Sequence, residues 1–146
     1  MIAARRPTAV ALLAAAATLV ACGGSDTKPP APKPTPEQQV TATWRAAATA
    51  AAAGNGAGFC PRVSPAGQAK LAAATQLPCE DAVRLLGSRL TPADRAAITG
   101  AQITGVTVTG DTAVVRYTSV PALARLGFTG RTTLERVGGV WLLRGT

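Results

Sequence analysis

The chain has 146 residues, 15 lysines and arginines against seven aspartates and glutamates, a net charge of +8, and no histidine. Aromatic residues make up 3% of it, so a core must be built mainly from Ala, Val and Leu, which bury little area per residue. The missing histidine removes the commonest general base and the commonest metal ligand, and the sequence offers neither a Ser-His-Asp nor a Cys-His nucleophile. No glycine-rich phosphate loop is present. Scattered arginines and few aromatics exclude nucleic acid as a partner. The basic excess follows from an Ala- and Arg-rich composition, or draws the chain to anionic lipid head groups or wall polymers.

Residues 1–21 read as a signal peptide. Arg5 and Arg6 form its positive end, and Ala9 to Val20, "AVALLAAAATLV", its apolar stretch. That stretch is shorter than the ~20 residues a membrane-spanning helix needs. Leu19-Val20-Ala21-Cys22 resembles the bacterial lipobox. The resemblance implies cleavage before Cys22, a diacylated thiol carrying palmitate-type chains, and a protein held on the extracytoplasmic face of the cell membrane. Residues 22–35 then form a tether. Its prolines (Pro29, Pro30, Pro32, Pro34) enforce polyproline II, which at ~3.1 Å per residue reaches at most roughly 40 Å. The expected folded domain is 36–146.

Thr35-Pro36-Glu37-Gln38 is a capping box with proline in the first turn, and Val40, Trp44, Ala47 and Ala51 recur at helical spacing behind it. "GNGAG", Gly54 to Gly58, stops that helix. Ser64-Pro65 starts a second, running through Leu71. A third begins near Pro78, with Glu80 and Asp81 in its first turn and Cys79, Val83, Leu86 and Leu90 as its apolar stripe. Thr91-Pro92-Ala93-Asp94 opens one more short helix. Beyond Gly100 the period drops to two. "QITGVTVTG" and "TAVVRYTSV" flank a Gly110-Asp111 turn, a connecting segment follows through Gly127, and "RTTLERV" and "VWLLR" flank Gly138-Gly139. Helices followed by strands predict an α+β fold, with the helices covering one face of an antiparallel sheet of about four strands.

With Cys22 assigned to lipid, Cys60 and Cys79 remain as an even pair in an oxidising compartment, and we expect a disulfide between them. A redox pair or a metal site is the weaker reading, because the spacing is not Cys-x-x-Cys and no histidine assists.

The order of an N-terminal Trp helix, "FCPRVSP", "PCEDAVRLL", "VTVTGDTAVVRY" and "LERVGGVWLL" resembles the small actinobacterial lipoproteins with a nuclear-transport-factor-like domain. That cystatin-like α+β cone is shared with SnoaL-type cyclases and ketosteroid isomerases. The resemblance implies a pocket for a small apolar molecule, or an accessory domain that binds an envelope protein, and no cofactor. An enzyme of the cyclase or isomerase kind would need a buried carboxylate and an oxyanion donor, and Glu135 with Tyr117 is the one pair available. Strand alternation puts Tyr117 on the face of Ala113 and Val115, leaves Glu135 solvated beside Leu134, and lets Arg116 pair with Glu135 across the sheet. Asp111 fits the turn, Glu80 and Asp81 the helix start, and Trp44 and Trp141 the core or a pocket wall. The catalytic expectation is therefore none, with Glu135 and Tyr117 as the only candidates.

Overall fold

A computed structural model describes residues 32–125 and 128–144, and those from Lys33 onward belong to one compact unit. The signal-peptide, lipobox and most of the tether readings, Cys22 included, lie outside the described residues. Helices α1 (Pro36–Ala52), α2 (Gly56–Phe59), α3 (Pro65–Thr75), α4 (Cys79–Arg89) and α5 (Pro92–Thr99) come first. Strands β1 (Ile103–Thr109) and β2 (Thr112–Tyr117) follow, then the short α6 (Pro121–Arg125), then β3 (Arg131–Val137) and β4 (Val140–Leu143). The strands form one antiparallel sheet in the order β1-β2-β3-β4. Helices packed against this four-stranded sheet make the fold α+β.

The helix starts follow their caps. The Gln38 amide donates to Thr35 Oγ1 while the Thr35 amide donates to Gln38 Oε1 at 2.8 Å, and Pro36 needs no donor there. Thr91 and Asp94 repeat this box at α5, and Ser64 caps α3. Val40, Trp44 and Ala47 are buried along α1, but Ala50 and Ala52 extend the buried face where Ala51 is only half-buried. The apolar side of α4 is rotated relative to the expected stripe. Ala82, Val83 and Gly87 are buried, whereas Cys79, Leu86 and Leu90 are partly exposed.

Two elements depart from the sequence reading. "GNGAG" does more than stop α1: Asn55 Oδ1 accepts from the Gly58 amide at 2.9 Å and caps α2, and a 3-10 turn over Cys60–Arg62 follows. The connecting segment before Gly127 contains α6, whose Ala122 and Leu123 are buried in the core. Short helices of this kind carry too little periodicity to register in a sequence.

The α2 region lies backbone to backbone against α4. A Cβ on Gly56 would sit 2.5 Å from Glu80 Cα, and one on Gly87 would collide with Gly54 Cα. The Cys60–Cys79 disulfide locks the same contact, with its Cα atoms 6.1 Å apart. The bridge encloses α3. That helix is fixed at its start, where the Ser64 amide donates to the Leu143 carbonyl at 2.8 Å and Val63 pairs with Leu143 at the edge of β4. Gln68 Nε2 also donates to the Cys60 and Val63 carbonyls at 2.8 and 3.1 Å.

Gly56→Ala should destabilise the domain by about 1–3 kcal/mol, because the added methyl meets backbone rather than a movable side chain. Thermal unfolding followed by circular dichroism should show a fall of about 4 °C for each kcal/mol. The 19-residue separation of the disulfide predicts a loss of about 3 kcal/mol on reduction, measurable by denaturant titration with and without reductant.

Candidate functional site

The sheet has one dry face and one wet face, and the register sorts the candidate residues between them. Ala113 pairs with Leu134, Val115 with Thr132, Val106 with Val115, and Leu134 with Leu143. These residues, with Tyr117 and Trp141, line the face that packs on the helices. Ala113, Val115 and Leu134 are fully buried. Tyr117 points inward as expected, and its ring meets that of Trp44 at a centroid distance of 4.7 Å. Thr132 Oγ1 donates to the Tyr117 hydroxyl over a long 3.4 Å. Burial pushes the Tyr117 hydroxyl above its ordinary 10.0, against smaller opposing contributions from Thr132 and the Gly130 backbone.

Glu135 pairs with Thr112 and so lies on the opposite face of the sheet from Tyr117. Its carboxylate is partly exposed and sits 3.8 Å from Arg144 Nε. The Glu135–Tyr117 pair is therefore not assembled: strand parity points one to solvent and the other into the core, and no oxyanion site joins them. The expected Arg116–Glu135 contact is also replaced. Arg144 takes Glu135, while Arg116 stands opposite Arg131. Asp111 occupies the β1–β2 turn, where Gly110 supplies the positive φ of 57°. Glu80 and Asp81 sit in the first turn of α4, and Asp81 accepts from Arg84 at 2.7 Å. Trp44 and Trp141 are both buried, and the Trp141 indole N–H has no hydrogen-bond partner among the described residues. Among those residues no group of three or more Cys, Asp or Glu could hold a metal ion, and no helix is long and apolar enough to cross a membrane.

Of the concave features among the described residues, the one with a predominantly apolar wall of large side chains is a partly open cavity of about 220 Å³, smaller than two shallower hollows along α1 of about 380 and 390 Å³. Phe59, Val63, Leu71, Val83, Leu86 and Leu143 supply most of its wall, with Lys70 the single charged residue and Ala74 beside it on α3. In the sequence Val83 and Leu86 belong to an expected helix stripe and Leu71 to the end of an expected helix, and nothing there marks these residues as lining a common space. The missed signal is in α3, "PAGQAKLAAAT", whose one large apolar residue is Leu71. Only Gly67 of that helix is buried, so α3 spans the space without filling it. The volume lies between the ~150 Å³ of a cavity that takes benzene and the ~300 Å³ floor of drug-sized sites. Such a wall recognises shape and hydrophobicity, and Lys70 is its one group with acid-base character.

No family model, no curated protein and no solved structure matches this chain.

The chain has a single tyrosine, so its titration can be read directly from phenolate absorbance. The folded state holds Tyr117 neutral, whereas the unfolded phenol ionises near its ordinary value of 10.0. The stabilisation is therefore complete below pH ~10 and is lost as pH rises through the higher folded value. The phenolate midpoint should lie above that of the urea-unfolded chain, and Tyr117→Phe should flatten the alkaline loss of stability.

Proposed function

We propose that the chain is an envelope lipoprotein of the nuclear-transport-factor-like type, anchored through lipid on Cys22 at the extracytoplasmic face of the cell membrane. Its domain binds a small apolar molecule and performs no chemistry on it. The order of helices before a four-stranded antiparallel sheet supports the fold type. The observation that carries the binding role is the 220 Å³ cavity walled by α1, α2, α3, α4 and β4. Its size suits a single ring or a short branched chain better than a drug-sized ligand. The disulfide holds both ends of the segment containing α3, while the helix itself buries little. That arrangement gives the wall a low local opening energy without releasing it from the domain.

The cavity can be closed from its rim. Ala74 is exposed on α3 and borders the cavity, so Ala74→Trp places a ring over the space without replacing a core residue. Titration with toluene, followed by the backbone amide chemical shifts of α3, should show saturable binding to the parent and at least tenfold weaker binding to the variant. Hydrogen exchange of the α3 amides should slow in the ligand's presence. Equal binding by both proteins would remove the cavity as the site. The anchor is tested separately: Cys22→Ser should abolish metabolic labelling with palmitate and either release the protein from the membrane fraction or leave the precursor uncleaved.

A further inference from the structure

The outward face of the sheet carries a charge arrangement that folding alone does not favour. Arg116 on β2 and Arg131 on β3 are direct cross-strand partners, both exposed. Directly opposed residues in an antiparallel pair have their Cα atoms about 5 Å apart, and like charges there repel. No ion pair among the described residues engages either guanidinium. Arg144 continues β4 on the same side, its amide donating to the Thr133 carbonyl, and the face's one carboxylate, Glu135, is already drawn to it. Three guanidinium groups thus share one carboxylate. On the other flank of Arg116 the β1 partner is Gly105, and the place where its side chain would stand is open space. The two arginines therefore border a bare notch. Farther along the same face Val137 and Val140 are 49% and 59% exposed, apolar side chains left in water at the last hairpin.

We propose that this face is a docking surface for an anionic lipid bilayer, with the Arg116–Arg131 pair seated on lipid phosphate groups and Val137 and Val140 entering the head-group region. Charge complementarity selects the occupant. An excess of cations on a single sheet face, fringed by exposed valines, matches a phosphate-covered surface with an apolar layer beneath it. Guanidinium is suited to the task, because its planar fork donates two hydrogen bonds to a phosphate. A phosphate between two arginines also turns their mutual repulsion into a shared attraction. The surface faces away from the helices and the cavity, so docking leaves the ligand site uncovered. The proposal rests on the anchored reading only for why a membrane is within reach.

The test uses the mature chain, residues 22–146, carrying Cys22→Ser, which has neither the apolar stretch of residues 9–20 nor an acyl group, so that binding reports on the domain's surface and not on the leader or the anchor. Flotation with vesicles of phosphatidylcholine, and with vesicles also containing phosphatidylglycerol, should show binding to the second only, weakened by added salt. Arg116→Gln with Arg131→Gln should reduce that binding roughly tenfold or more, given the contribution of each basic residue near an anionic surface. Arg45→Gln with Arg89→Gln removes the same charge from exposed helix positions and should leave binding nearly unchanged. Circular dichroism of both doubles checks that the fold survives. Equal loss in the two doubles would reduce the effect to net charge and overturn the proposal. So would binding to both vesicle types alike, or a phosphate-sensitive shift at Arg116 and Arg131 with no vesicle binding, which would assign the pair to a free anion.

Discussion

The contact between the Gly54–Gly58 segment and α4 is the constraint on which the helical half depends. Gly56 and Gly87 let two backbones touch where any side chain would hold them apart. This close approach sets the position of α4, and α4 supplies Val83 and Leu86 to the cavity. It also brings Cys79, at the head of α4, to Cys60, just past α2. The disulfide therefore secures an approach that glycine has already made possible. A bridge imposed on separated helices would instead pull against native packing.

An alanine-rich chain pays for close helix packing with a shortage of bulk. Large apolar side chains are concentrated where the sheet meets α1 and α5: Trp44, Ile98, Leu134 and Trp141 are all nearly or fully buried. Within α3 the supply runs out: Leu71 is its one large apolar residue, and it lines the cavity together with Phe59 and Leu143. Packing density in a small domain is normally close to that of an organic crystal. Here it is met on the sheet side and relaxed on the α3 side, and the unfilled volume is the cavity. The same shortage explains why α3 relies on a cap, a backbone bond to Leu143 and two carbonyl contacts from Gln68 for its placement.

Much of this was legible in the sequence because it is local. Capping boxes at Thr35 and Thr91, Ser64 before Pro65, and glycines at positions 110, 138 and 139 each fix backbone geometry within a few residues. Pairing of Cys60 with Cys79 followed from counting thiols once Cys22 was set aside. Short α2 and α6 escaped because a single turn leaves no periodic trace. The close approach of Gly56 and Gly87 escaped because glycine spacing does not reveal its partner. Alternation with Leu134 already leaves Glu135 solvated, but that it lies on the opposite face of the sheet from Tyr117 needs the β2–β3 register, since alternation along one strand says nothing about its neighbour. The cavity is the hardest case: it is an absence of side chains contributed by several separate elements.

The two faces of the sheet treat charge in opposite ways. On the inward face the polar groups at the packed centre are withdrawn: Thr132 is buried against Tyr117, and burial keeps the phenol neutral, while Arg136 beside Trp141 reaches water at the sheet's end. On the outward face, arginines stand side by side. In water the Arg116–Arg131 repulsion is small, because high dielectric and counterions weaken exposed charge interactions. The fold can therefore carry the pair at little cost while free in solution. Near an anionic surface the local dielectric falls and every opposite charge counts for more. An arrangement that is nearly neutral for stability then becomes directional for docking, since only one orientation of the sheet presents both guanidinium groups to the phosphates.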